Sequence, residues 1–150
     1  MAHSCSNILV HVIFGTKDRK PLIKPDLRND LFAYMGGIVR ELKGKALLIN
    51  GMADHMHMLV ELPPALSVAE MMRVVKTNSS RWVNENRSHH ARFAWQTGYA
   101  AFSVSRSNAP AVSKYIAEQE KHHRKRSFDE ELLLFLKKHG IEYDERYIWS

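Results

Sequence analysis

The chain has 150 residues, 45% of them hydrophobic and 25% charged, which fits a single globular domain over residues 1–150 with its own core. A formal charge of +6 and a pI near 9.5 favour a polyanionic partner, nucleic acid first and an anionic membrane surface second. No apolar run is long enough to span a bilayer, no signal-peptide pattern opens the chain, and the single Cys5 excludes an internal disulfide or a cysteine-based metal site, so a cytoplasmic protein is expected.

Asn7 to Phe14 reads as a strand. Ile8, Val10, Val12 and Phe14 alternate with Leu9, His11 and Ile13, so both faces are apolar, as in a central strand. His11 reads as a core-edge histidine, with a place beside a metal as the alternative. Gly15 to Pro21 is a basic loop in which Lys17 and Arg19 either touch phosphates or are solvated. Pro25-Asp26 opens a helix whose apolar face is Leu27, Leu31, Tyr34, Met35, Ile38 and Leu42, and Gly44 fits its stop. Lys45 to Asn50 is a second strand, and Gly51 begins the short turn into a third, so the two should pair antiparallel.

The third strand, Asp54 to Val60, is the most informative stretch. Residues i and i+2 of a strand share a face, so His55 and His57 project side by side while Met56, Met58, Val60 and Leu62 face a core. Two imidazoles held this way suit a metal ion, and structural histidines are the alternative. Pro63-Pro64 ends the strand. Ser67-Val68-Ala69-Glu70 is a capping box for a helix with Val68, Met71, Met72, Val75, Ser79 and Trp82 inward. Arg73, Lys76 and Arg81 lie off that stripe as a phosphate-facing or solvated surface.

Asn86 to Gly98 reads as irregular, with Phe93 and Trp95 either packed on the domain or stacking on bases. Tyr99 to Ser105 is a fourth strand. Ser107 or Asn108 caps a helix with Pro110 in its first turn, on which Tyr115, Gln119 and His122 share one face. Lys121 to Arg126 is a basic run that includes Arg124 and Lys125. Phe128 to Lys138 is a last helix, and the tail from Glu142 to Tyr147 is expected to lie over the domain. The order strand, helix, strand, strand, helix, strand gives an α+β, ferredoxin-like (split β-α-β) antiparallel sheet with helices on one face. A further C-terminal helix can then lay Tyr115 across the open face.

Five segments, in this order and spacing, resemble one family. They are Phe14-Gly15-Thr16-Lys17-Asp18-Arg19-Lys20-Pro21-Leu22, Ala53-Asp54-His55-Met56-His57, Trp95-Gln96-Thr97-Gly98-Tyr99, Phe102-Ser103-Val104-Ser105 and Tyr115-Ile116-Ala117-Glu118-Gln119. The family is the single-tyrosine HUH transposases of small bacterial insertion sequences (insertion-sequence-200-like), with their domesticated relatives. The resemblance implies that His55, His57 and Gln119 bind a divalent ion and that Tyr115 is the nucleophile. It also implies nicking and rejoining of single-stranded DNA through a 5′-phosphotyrosine link, hairpin ends as substrate, and a homodimer. Imidazole alone leaves the metal open, whereas the family and phosphoryl chemistry favour Mg2+ or Mn2+.

His122 or His123 can replace or supplement Gln119 as ligand, and His122 or a bound water can take the phenol proton. Lys17, Arg19, Arg73, Lys76, Arg81, Lys121, Arg124 and Lys125 are the DNA-contact candidates. The rival readings are a non-cleaving hairpin-binding relative and a metal-dependent phosphodiesterase.

Overall fold

The computed structural model describes residues 4–87, 92–146 and 148. Among them, β1 (Ile8–Gly15), β2 (Lys45–Gly51), β3 (His55–Leu62) and β4 (Ala100–Val104) form one antiparallel sheet in the order β2-β3-β1-β4. Helices α1 (Pro25–Glu41) and α2 (Val68–Asn86) are the two crossovers. This is the α+β, ferredoxin-like plan that the element order implies. Among the described residues, no helix is long and apolar enough to cross a membrane.

β1 and β3 are apolar on both sides because both faces of the sheet are covered. Val10, Val12 and Phe14 join Met56, Met58, Val60 and Leu62 on the face beneath α1 and α2. Leu27, Leu31 and Met35 of α1 and Met71, Met72 and Val75 of α2 complete that core. Phe93 and Trp95 are packed there too, and the Trp95 indole N–H donates to buried Ser79 at 2.9 Å. Trp82 is half-buried and stacks on Tyr34, with ring centres 4.7 Å apart, and Val83 takes the buried place beside it. Ser67 caps α2 as its sequence implies, its Oγ accepting from the Glu70 N–H at 3.0 Å.

The opposite face carries Leu9, His11 and Ile13 of β1 and His55, His57 and Leu59 of β3. Three further helices cover it: α3 (Ala109–Ala117), α4 (Gln119–His123) and α5 (Phe128–Lys138). Ala109 and Ile116 pack on Leu9 and Leu59, while Phe128, Leu132 and Leu136 pack on Ile13 and Phe102. The sheet is thus the middle layer, with histidines inside the second interface.

Several local details depart from the sequence pattern. Helix α1 stops at Glu41, and Lys43 rather than Gly44 takes the left-handed backbone, with φ 69°. Gly44 answers a need for space, since a Cβ there would lie 3.1 Å from both the Glu61 carbonyl oxygen and Val39 Cγ1. Asn108 stands at the start of α3 without a side-chain cap bond, and Ser107 pairs instead with Ser105 at 3.2 Å. The chain breaks its helix at Glu118 (φ −97°, ψ 26°), so Tyr115 and Gln119 sit on separate short helices. Residues 142–146 are exposed, with Tyr143 lining a shallow cavity beside Glu130, Leu133, Leu134 and Lys137 of α5, and Tyr147 lies outside the described residues, as do residues 88–91 of the irregular stretch.

This packing is testable at two positions. Gly51 ends β2 just before the histidine strand, and a Cβ there would run into the His55 carbonyl oxygen and approach Met56 Sδ to 2.9 Å. Gly51→Ala is expected to lower stability by about 1–3 kcal/mol, read as a fall in the urea midpoint at unchanged slope. The second position is His11, which is 1% exposed, lies 2.8 Å from His57 Nδ1 and has the Phe135 ring against it. Burial, and then the neighbouring His57, push its pKa down to about 3 from 6.5. His57 moves the same way, chiefly through burial, while His123 moves upward and offsets part of the effect. A depressed base takes its proton more readily when unfolded, so the stability is whole above pH 6.5 and is lost as pH falls toward 3. Urea melts of the metal-free protein should show a loss on the order of a few kcal/mol between about pH 7 and about pH 4.

Candidate active site

His55 and His57 stand at the end of β3, opposite Gly15 and Ile13 of β1, and both are fully buried beneath the C-terminal helices. Alternation along the strand points both rings the same way. Helices α4 and α5 bring the remaining groups over them. Gln119 Oε1 lies 3.1 Å from His55 Nε2 and 3.0 Å from His123 Nε2. Glu131 Oε1 lies 2.9 Å from His57 Nε2, 3.3 Å from His123 Nε2 and 3.6 Å from His55 Nε2. The Tyr115 hydroxyl donates to the other oxygen of the same carboxylate, Oε2.

The outer nitrogen of each ring is also held. His55 Nδ1 donates to Asp54 Oδ1 at 2.8 Å, and His123 Nδ1 donates to the Arg126 carbonyl oxygen at 2.8 Å. His57 Nδ1 shares a proton with His11 Nε2. With the Nδ1 positions fixed outward, the three Nε2 atoms turn inward toward two acceptor oxygens. Lone pairs that face one another need either protons or a cation between them. His55, His57, His123 and Glu131 each offer a donor atom, all within 4.8 Å of one another, so the residues fit a divalent ion.

The electrostatics follow from this crowding. Burial disfavours the Glu131 carboxylate, but hydrogen bonds from His123 and His57, the charge of His57 and the Tyr115 hydroxyl together hold its carboxyl well below the usual range. Burial likewise opposes ionisation of Asp54, and the bond to His55 outweighs it. Burial, then the hydrogen bond and charge of Glu131, push the Tyr115 phenol well above its ordinary value. In this arrangement the phenol keeps its proton.

The structure therefore brings His55, His57, Gln119 and Tyr115 of one chain together. Of the two histidines left open by sequence, His123 enters the cluster, whereas His122 stacks its ring on Tyr115 at 4.4 Å. Glu131 is the residue that the sequence reading missed. A signal was there: Phe128, Glu131, Leu132 and Phe135 fall on one helical face, so an acid interrupts an apolar stripe.

The basic candidates divide between the two layers. Lys17, Lys121, Arg124 and Lys125 are exposed around the histidine end, and Arg19 pairs with Asp129 at 3.0 Å. Arg73, Lys76 and Arg81 line a groove of about 950 Å³ along α2, on the other layer. There Arg73 binds Glu70, Arg81 binds Asn78, and Lys76 donates to the carbonyls of Thr97 and Gly98, its pKa lowered by burial to about 8. A smaller cavity of about 360 Å³ opens on Tyr115 and Glu131, and it is lined also by Arg126, the last residue of the basic run, and Lys138, neither of them among the DNA-contact candidates.

Comparison with known proteins bears on this arrangement. The family described as "Transposase IS200 like" matches residues 4–119. The transposases for insertion sequence element IS200 of Salmonella typhimurium (strain LT2) and Salmonella typhi are each 30% identical over 128 residues, covering 79% of this chain and 81% of theirs. A crystal structure of a candidate transposase from Deinococcus radiodurans R1 shares the fold at TM-score 0.62 and 18% identity, over 79% of this chain and 95% of that one. The REP-associated tyrosine transposase, solved bound to a REP hairpin, superposes at TM-score 0.55 and 12% identity, over 79% of this chain and 72% of that one. The family match reaches from the N-terminal loop to Gln119 and takes in the histidine strand and the tyrosine helix, and the chain belongs to the IS200-like transposase family.

Proposed function

We propose that this chain nicks and rejoins single-stranded DNA through a covalent 5′-phosphotyrosine link to Tyr115, with a divalent ion, magnesium or manganese, held by His55, His57 and Gln119. The observation that carries this reading is the meeting of the Tyr115 hydroxyl with the buried imidazole and amide groups around Glu131.

A phosphodiester repels nucleophiles and gathers charge on the oxygens of its phosphorus as it reacts. The ion, when bound, offsets that charge and orients the scissile bond. The chain's own residues do the rest. The Tyr115 oxygen attacks phosphorus, the bond to the 3′ oxygen breaks, and that oxygen leaves with a proton as a 3′-hydroxyl. The phenol must lose its proton on attack. Its nearest acceptor is Glu131 Oε2, a better-placed partner than His122, whose ring lies flat against the tyrosine. Rejoining is the reverse attack by a 3′-hydroxyl, and the phosphotyrosine bond keeps the phosphate activated, so ATP is not required.

The cavity beside Tyr115, with Arg126 and Lys138 on its rim, supports entry of a DNA strand at the nucleophile. Lys17, Arg19, Lys121, Arg124 and Lys125 supply further positive charge at this end. Arg73, Lys76 and Arg81 on the far layer suit the body of a hairpin. A relative seen with a hairpin supports that choice of substrate, and a homodimer is part of the same proposal.

Two measurements test it. Wild-type protein with labelled single-stranded hairpins and Mg2+ or Mn2+ should form a protein–DNA adduct that survives denaturing electrophoresis. Tyr115→Phe should abolish the adduct, and His55→Ala should lower it by about 100-fold or more. Hairpin binding without an adduct across several metals would point to a non-cleaving relative, and product release without an adduct to a hydrolase; either overturns the proposal. In DNA-binding titrations at several salt concentrations, Lys121→Ala with Lys125→Ala should reduce the slope of log K against log salt by about one for each phosphate that these side chains neutralise. An unchanged slope would remove these two residues from the interface.

A further inference from the structure

The ligand set taken from the family ends at Gln119, but the buried cluster does not. We propose that His123 and Glu131 are ligands of the ion as well, so that three imidazoles, one amide oxygen and one carboxylate surround it, a set that selects a transition ion such as manganese over magnesium. This rests on the proposed function only in assuming that the site holds a divalent ion.

Three observations carry it. The first is spacing. Metal–nitrogen and metal–oxygen bonds of about 2.0–2.2 Å put neighbouring donors roughly 3–3.5 Å apart. Glu131 Oε1 lies 2.9, 3.3 and 3.6 Å from the Nε2 atoms of His57, His123 and His55. Gln119 Oε1 lies 3.1 and 3.0 Å from those of His55 and His123. These separations match those of donors around one centre, and the donor atoms of His55, His57, His123 and Glu131 all lie within 4.8 Å of one another.

The second is the way His123 is held. Its Nδ1 faces the Arg126 carbonyl oxygen, which can only accept, so that nitrogen carries the proton and Nε2 is the one turned inward. His55 is fixed the same way by the Asp54 carboxylate. Metal-binding imidazoles are commonly oriented by an acceptor on the second nitrogen. His122, one residue earlier, lacks this arrangement and stacks on Tyr115.

The third is the position of Glu131. It is 3% exposed on an otherwise apolar helix face, among buried groups that a lone carboxylate would strain to satisfy. One oxygen meets the imidazoles and the other receives the Tyr115 hydroxyl. Magnesium favours oxygen donors and retains its waters, whereas imidazole suits transition ions, whose affinity for such a set rises along the series from manganese onward.

The test uses the full chain and cobalt(II) as probe, with no DNA present. Wild-type protein should bind cobalt with a visible ligand-field spectrum, and His123→Ala and Glu131→Gln should each weaken binding by about 10-fold or more and change that spectrum. His139→Ala, outside the cluster, should bind as wild type does. Magnesium at equal concentration should leave the cobalt in place. If a variant does not fold, the wild-type chain answers alone: on zinc addition the imidazole nitrogen resonances of His55, His57 and His123 should shift together. Wild-type cobalt affinity and spectrum in both folded variants, displacement by equal magnesium, or a zinc shift confined to His55 and His57 would each overturn the proposal. A failed adduct assay would leave these readouts untouched, so the two proposals fail separately.

Discussion

The Glu131 carboxylate, buried among three imidazoles and a phenol, is the interaction on which the C-terminal half of the molecule depends. A charge taken from water is costly unless its partners are close and well aimed. Here the carboxylate and its partners come from four different elements. β3 supplies His55 and His57, α3 supplies Tyr115, α4 supplies Gln119 and His123, and α5 supplies the carboxylate. Displacing any one of them leaves a buried polar group exposed to hydrocarbon, so the geometry of the site and the closing of the second sheet face are one problem.

This explains why the sheet has two unlike faces. Beneath α1 and α2 the core is ordinary, with Leu, Val, Ile, Met and aromatic side chains and few polar atoms. Beneath α3, α4 and α5 it is divided into two smaller apolar patches, one at Leu9 and Leu59 and one at Ile13 and Phe102, with the histidines between them. The apolar patches anchor the helices, and the polar seam between them holds the chemistry. α5 reaches this seam at its first turn, where Ser127 accepts from the Glu130 N–H and Asp129, Glu130 and Glu131 stand at the favourable end of the helix dipole.

The order of elements, the two crossover helices and the shared face of His55 and His57 were legible because each rests on local pattern. Alternation fixed the faces of β1 and β3, and the Ser67 cap fixed the start of α2. The role of Trp95 was open in the sequence, since an indole packs or stacks equally well by composition, and only the bond to Ser79 decides it. Glu131 was only half legible, for a different reason. It interrupts an apolar stripe, but an acid in the first turn of a helix is also what a dipole and a cap explain, so that signal alone does not demand a second role. The break at Glu118 was hidden as well, because the residues on either side carry an unbroken helical pattern and tertiary contacts impose the turn. The sequence left His122 and His123 both open as ligands, and the structure decides between them, since His123 joins the cluster while His122 stacks on Tyr115.

Asn50 gives one of these arrangements a wider meaning. It lies on β2 directly opposite His57, and its side-chain amide donates to the carbonyl oxygens of Ile116 and Ala117 at 2.8 and 3.4 Å. Those carbonyls end α3 and would otherwise lack partners. The edge strand thus clasps the segment bearing the phenol, and it does so through the rung that holds a candidate ligand. A tyrosine segment lent by a second protomer would have to present its terminal carbonyls to the same amide, whereas here the chain's own segment already occupies that berth.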